Sequence, residues 1–177
     1  DVMQDGAMFY KSLSVKPNFD ISSKFILSTI HRAENVDNEK VLNNIIKGIS
    51  GAKTPTIISL HPRTKKMLEK FSMIKKLENC KHVQIINPQG YLDFLALIKN
   101  SRFVMTDSGG IQEEITSPLL SKRVLVLRES SERPEAINVG MASLIPLRHQ
   151  NITKSILQEW DKKEVKIKKS PYGNGNS

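Results

Sequence analysis

Short apolar runs alternate along the chain with longer segments whose apolar residues recur every three or four positions. Lys24–Ile30, Thr56–Leu60, Val83–Ile86, Arg102–Thr106, Arg123–Leu127 and Ala142–Ile145 are mostly apolar. They have the length and the Val/Ile/Leu content of strands buried on both faces of a parallel sheet. The intervening segments keep a helical period. Val41, Leu42, Ile45, Ile46 and Ile49 line one stripe, with Asn38 placed to cap it and Gly51 and Pro55 to end it. Further helices are predicted as one or two over 64–79, then 91–100, from the Ser-Gly-Gly turn to about Ser117, a short one ending at Gly140, and 151–160 capped by Asn151 or Thr153. Residues 1–13 carry Val2, Met3, Met8, Phe9 and Leu13 on one side and read as a short helix; Pro17 closes it, and 14–23 are a connector.

Alternation of strand and helix predicts an α/β fold: a Rossmann-like, doubly wound parallel sheet of about six strands with helices on both faces. Its crossovers are right-handed, and ligands bind outside the carboxyl ends of the strands. The polar clusters fall there. His31-Arg32-Glu34 lies in a loop over 31–35 after the first strand, His61-Pro62-Arg63 in a loop over 61–64 after the second, Ser108-Gly109-Gly110 follows the fourth, and Glu132-Arg133-Pro134-Glu135 the fifth. No internal repeat is visible.

The richest of these stretches is Thr106-Asp-Ser-Gly-Gly-Ile-Gln-Glu-Glu114. The apolar Phe103-Val104-Met105 feeds into a Ser-Gly-Gly turn and then a helix start. First-turn N–H groups have no intrahelical acceptor and the helix dipole favours negative charge there. Glycine admits a ligand close to the backbone, because no Cβ intervenes. Glu114, more than a turn further on, is placed to accept hydrogen bonds from sugar hydroxyls. Diphosphate at the turn and ribose at the carboxylate make a nucleotide site. His31 is an acid/base or phosphate-contacting candidate, or else a structural histidine held by a backbone hydrogen bond. Arg63 has the fork for bidentate phosphate binding, and His61 before Pro62 is held toward extended backbone. Arg133 stands just ahead of a Pro suited to the first helical position; its alternative role is a surface pair with a neighbouring Glu.

Composition changes this picture little. The 177 residues suit one domain with a full core. No apolar run approaches the roughly 20 residues that cross a bilayer, and Asp1 and Asp5 stand where a signal peptide would carry positive charge. A single cysteine, Cys80, excludes an internal disulfide and a thiolate cluster, which points to a reducing, cytoplasmic setting. No sets of His, Cys and carboxylates have metal-ligand spacing. The net charge of +9 is concentrated in Lys65–Lys76 and Lys162–Lys169. At 6% aromatic residues and without a nucleic-acid module, these lysines are read as solvated surface, or as steering for a phosphate-bearing substrate or an acidic partner.

His31-Arg-Ala-Glu-Asn35, His61-Pro-Arg-Thr64, Thr106–Glu114 and Glu132-Arg-Pro-Glu-Ala136 stand in the order and at the separations seen in the non-hydrolysing UDP-N-acetylglucosamine 2-epimerases. Pro171-Tyr-Gly-Asn-Gly175 also resembles that family's loop before its last helix. The resemblance extends over the whole chain. It implies the C-terminal domain of a GT-B architecture, with the active site between two Rossmann-like domains. Residues 1–20 would be the interdomain helix and linker, 21–160 the UDP-binding domain, and 161–177 a basic tail and loop; the N-terminal domain and last helix lie outside this chain.

The implied reaction interconverts UDP-GlcNAc and UDP-ManNAc in cell-surface polysaccharide biosynthesis. UDP is eliminated in anti fashion to give 2-acetamidoglucal and is then re-added after protonation on the opposite face. By match of position, Ser108 and Gly109 contact phosphate; Arg32 and Gly110 are read as further UDP-binding residues and Arg133 as an inferred phosphate contact. Glu114 holds the ribose, and His31 assists departure of UDP. His61 matches a position at the family's allosteric site for a second UDP-sugar. The carboxylates that handle the C2 proton belong to the N-terminal domain, so the isolated chain is expected to bind UDP weakly and to be inactive. No cofactor or metal is implied. The implied partners are the UDP-sugar substrate, the N-terminal domain and, at full length, a second copy in a homodimer, with no nucleic acid or membrane. Another UDP-2-acetamido sugar as substrate, a GT-B glycosyltransferase, and a non-catalytic UDP-binding module remain as alternatives.

Overall fold

The computed structural model describes residues 24–115, 118–130 and 134–166. Strands β1 (Ile26–Thr29), β2 (Thr56–Ser59), β3 (Val83–Ile86), β4 (Phe103–Thr106), β5 (Val124–Val126) and β6 (Ala142–Leu144) form one six-stranded sheet in the order β3-β2-β1-β4-β5-β6. All the pairings are parallel. This is the strand order of a Rossmann-like domain. The direction of progress along the sheet reverses between β1 and β4, which opens the ligand crevice of such folds. Ile26 pairs with Phe103 and Thr29 with Thr106, so β1 and β4 end level and their following loops start side by side.

The helices are α1 (Ala33–Val36), α2 (Glu39–Ala52), α3 (Pro62–Lys70), α4 (Ile74–Glu78), α5 (Tyr91–Asn100), α6 (Gly109–Ile115), α7 (Pro134–Asn138) and α8 (His149–Asp161). Alternating strand residues supply two cores. Ile26, Ile58, Met105 and Leu125 face the apolar stripes of α2 and α8, including Leu42, Ile45, Ile49, Ile152 and Ile156. Leu27, Ile57, Val104 and Val126 face Leu97 and Ile98 of α5 and Ile115 of α6. The predicted fold class and helices on both faces therefore stand. α2 and α8 approach closely at Gly48: a Cβ there would lie 2.5 Å from Ile152 Cγ2.

Several boundaries differ from the sequence reading, each for a local reason. Residues 31–35 were expected to be loop, yet Ala33–Val36 is a helical turn, closed by the N–H groups of Asn35 and Val36 donating to Arg32 O. His61–Thr64 was likewise expected to be loop. Instead Pro62 is the first residue of α3, and His61, extended at φ −60° and ψ 142°, caps it by accepting the Arg63 N–H on Nδ1 at 3.2 Å. Asn38 caps α2 as expected, accepting the Val41 N–H. That helix runs through Gly51 to Ala52 and stops at Lys53, which takes a left-handed φ of 51°. α8 begins at His149 with Arg148 as its cap residue, and the Thr153 hydroxyl donates to Gly48 O rather than capping. The predicted helix at 1–13, the connector at 14–23 up to Lys24, the end of α6 at Ser117, Arg133 and the motif at 171–175 lie outside the described residues.

Candidate nucleotide site at the switch point

The level ends of β1 and β4 put His31 and Arg32 against Asp107 and the turn that follows it. Asp107 is fully buried. Its Oδ1 accepts the His31 N–H at 3.1 Å, its Oδ2 accepts the Arg32 N–H at 2.9 Å, and Oδ2 also accepts the Asn35 side-chain amide at 3.0 Å. The His31 imidazole Nδ1 lies 3.4 Å from Oδ1. A buried carboxylate is tolerated when it is hydrogen-bonded in this way. Nδ1 is thus the ring nitrogen that faces Asp107, and Nε2 is directed away from it. The Asn35 amide also donates to Leu127 O at the end of β5. α1 is thereby tied to the ends of two neighbouring strands.

Beyond Asp107, the Ser108 N–H donates to Thr106 Oγ1, and the Ser108 hydroxyl oxygen faces the Ile111 N–H at 3.5 Å. Gly109 and Gly110 are first-turn positions of α6, whose N–H groups have no intrahelical acceptor. Space is kept above them: a Cβ at Gly110 would meet nothing within 4 Å, and one at Gly109 only Arg32 Nη2, at 4.0 Å. The Arg32 guanidinium thus lies beside the glycine turn. An oxyanion held here would face backbone donors from one loop and a cation from the other.

Glu114 is half-buried, not directed into the apolar core, and its carboxylate accepts the Tyr91 hydroxyl from the start of α5. That hydrogen bond, with lesser burial and charge effects, raises the Tyr91 phenol above its ordinary value. Tyr91 is 62% exposed, a large ring standing over the acid. His61 is brought to the same place from the end of β2; its ring centroid is 5.3 Å from that of His31. Arg63 departs from the phosphate-binding expectation: its Nε and Nη2 engage the two oxygens of Asp37, which holds Asp37 below and Arg63 above their ordinary values.

The structure therefore brings together His31, Arg32, His61, Ser108, Gly109, Gly110 and Glu114. The sequence reading gave no role to Asp107, Asn35 or Tyr91. A charged residue directly after an apolar strand was the available signal for Asp107. Its partners follow only once β1 and β4 are known to be neighbours. Among the described residues no helix is long and apolar enough to cross a membrane, and no three His, Cys, Asp or Glu side chains form a metal-holding group.

A family model described as UDP-N-acetylglucosamine 2-epimerase matches residues 1–177. The chain belongs to this family. The UDP-N-acetylglucosamine 2-epimerase of Methanocaldococcus jannaschii is 42% identical over 161 residues, 89% of this chain and 43% of that protein. The UDP-2,3-diacetamido-2,3-dideoxy-D-glucuronate 2-epimerase of Pseudomonas aeruginosa is 35% identical over 160 residues, 88% of this chain and 43% of that protein. The crystal structure of the M. jannaschii UDP-GlcNAc 2-epimerase in complex with UDP-GlcNAc and UDP matches with a TM-score of 0.79 at 38% identity, covering 97% of this chain and 45% of that one. The chain spans less than half the length of these epimerases and corresponds to their C-terminal part.

Proposed function

We propose that this chain is the UDP-binding half of an epimerase that interconverts UDP-GlcNAc and UDP-ManNAc. The observation that carries the reading is the pairing at the switch point: Arg32 beside the Gly109 turn, with His31 pinned next to it by Asp107. The N–H groups of the Ser108-Gly109-Gly110 turn and the Arg32 guanidinium hold the diphosphate, joined by Arg133. Glu114 accepts hydrogen bonds from the ribose hydroxyls, trading its Tyr91 partner for them or sharing it.

During anti-elimination the bond between C1 of the sugar and the diphosphate oxygen breaks, and negative charge grows on that oxygen. His31 and Arg32 stabilise this charge, with His31 Nε2 directed at it. 2-Acetamidoglucal and UDP remain bound, C2 is re-protonated on the other face, and UDP adds back. Groups on an N-terminal domain handle the C2 proton, so the present chain alone binds UDP weakly and does not epimerise. Residues 1–20 serve as the link to that domain and 161–177 as a basic tail. The whole protein is a cytoplasmic homodimer serving cell-surface polysaccharide synthesis. His61, in ring contact with His31, links the site to a second, regulatory UDP-sugar.

The likeness to the P. aeruginosa enzyme supports a second reading with the same chemistry on a UDP-diacetamido-uronic acid. Incubating the full-length protein with each UDP-sugar in D2O tests both: the substrate that exchanges its C2 proton and appears as the 2-epimer is the true one. Release of UDP with a glycosylated acceptor instead would make the protein a glycosyltransferase.

A further inference from the structure

The amino end of the sheet, opposite the nucleotide crevice, has its own concavity. A cavity of about 550 Å³ lies between the end of α5, the segments entering β4 and β5, and the chain leaving α8. Seven lysine and arginine side chains line it, against the two carboxylates Glu159 and Glu164. Both carboxylates are already engaged. Glu159, 5% exposed, pairs with Arg123 at 3.2 Å and with Lys162 at 2.6 Å. Glu164 pairs with Lys24.

Besides Lys162, three of the cations are held in place. Arg102 donates from Nε to Trp160 O at 3.1 Å and from Nη2 to Lys162 O at 2.8 Å. Lys122 donates to Ser101 O at 2.8 Å. Arg123 donates to Lys163 O. These bonds satisfy helix-end and loop carbonyls and take up no charge, so among the lining residues the cations keep their excess over the two carboxylates. Leu119, 57% exposed, and Leu120 form an apolar lip.

We propose that this cavity is a second anion site, for a small oligophosphate, separate from the nucleotide crevice. Its volume is within the roughly 300–1,000 Å³ of small-molecule sites. Its wall presents fixed cations at close range, as phosphate recognition requires. Burial, followed by the charges of Lys24, Arg102 and Lys99, brings the Lys122 amine down to about 8. An anion in the cavity relieves both causes, because it replaces lost solvation and offsets the like charges. The proposal does not depend on the epimerase reading, since the nucleotide crevice contributes no residue to it.

Inorganic pyrophosphate is the probe, added to the full-length protein with UDP saturating the other site. Lysine acylation, read residue by residue by mass spectrometry, reports Lys122 directly. Pyrophosphate is expected to protect Lys122 while Lys65 and Lys66 on α3 label as before. Affinity for pyrophosphate should fall about tenfold in Lys122→Gln, the loss of one charge-assisted hydrogen bond. It should fall by a smaller factor in Lys163→Gln, an exposed position where folding is not at risk. Ser108→Ala should bind pyrophosphate here as the unchanged protein does. Unprotected Lys122, or equal affinity in both lysine variants and the parent, overturns the proposal. So does capture by anionic lipid vesicles without any response to pyrophosphate, which would make this face a membrane-docking surface.

Discussion

The Asp107 carboxylate and the His31 imidazole meet across the β4/β1 boundary, with Oδ1 3.4 Å from Nδ1 and 3.1 Å from the His31 main-chain nitrogen. One buried acid therefore holds the backbone of His31 and lies against its ring. Asp107→Ala strips acceptors from two main-chain N–H groups and the Asn35 amide at once. At about 1–3 kcal/mol for a buried donor left unsatisfied, and less for the two part-buried N–H groups, it should lower unfolding free energy by roughly 2 kcal/mol, read from urea midpoints. Asp107→Asn keeps the volume and should cost less stability. It misorients the imidazole, so in the full-length enzyme kcat should fall by a larger factor than KM changes. Equal stability of Asp107→Ala and the parent would contradict this role.

Gly48 makes the contact between α2 and α8 possible. The Cβ of Gly48→Ala would fall 2.5 Å from Ile152 Cγ2 and 2.6 Å from Ile152 Cβ. Ile152 is fully buried and has no room to retreat. Overpacking of this kind costs about 1–3 kcal/mol, and thermal melts should show it as a lowered Tm. Combining it with Ile152→Ala should cost less than the sum of the two single changes, because the second substitution removes the Cγ2 contact, while the Cβ contact stays.

The Tyr91 hydroxyl bonded to Glu114 predicts a high phenol titration. Its ordinary value is 10.0, and the folded protein holds it above that. A raised folded value means that the stabilising bond is present below pH 10 and is lost as pH rises through the folded value. Absorbance at 295 nm should show this tyrosine ionising late, and Glu114→Gln should bring it back toward the ordinary value. Saturating UDP should also move it, if the ribose competes for Glu114.

Lys122 has the opposite sign. Its folded value of about 8 lies below the ordinary 10.5. Between those two values the unfolded chain binds more protons, so stability rises with pH through that interval. Below pH 8 both states are charged and the full penalty applies. Lys122→Met removes the penalty and should flatten stability across this window, with chemical denaturation followed from pH 7.5 to 10.5 as the measurement.

The doubly wound sheet was legible because each apolar run has the length of a buried strand and each intervening stripe keeps a helical period. The glycine turn was legible for the same reason: an apolar strand running into Ser-Gly-Gly leaves little else to build. The start of α3 was misjudged because Pro62 signals a turn and a first helical position equally well. Only the His61 cap decides between them. Asp107, Asn35 and Tyr91 stayed hidden for a different reason. Their partners are 72 to 76 residues away for Asp107 and 23 away for Tyr91. Pairings of that range follow from strand order and register, which local pattern does not contain. Arg63 was legible as a bidentate donor, but Asp37 as its partner was not.

The central claim is that the β4–α6 turn grips a diphosphate while Glu114 holds the pentose. Calorimetric titration with UDP and with 2′-deoxy- and 3′-deoxy-UDP, on the parent protein and on Glu114→Ala, tests it most directly. The account predicts that the parent prefers UDP to at least one deoxy analogue by about tenfold, the worth of a hydrogen bond to a charged group. It also predicts that Glu114→Ala binds all three alike. A parent protein blind to the missing hydroxyls, or a preference that survives in Glu114→Ala, would contradict it.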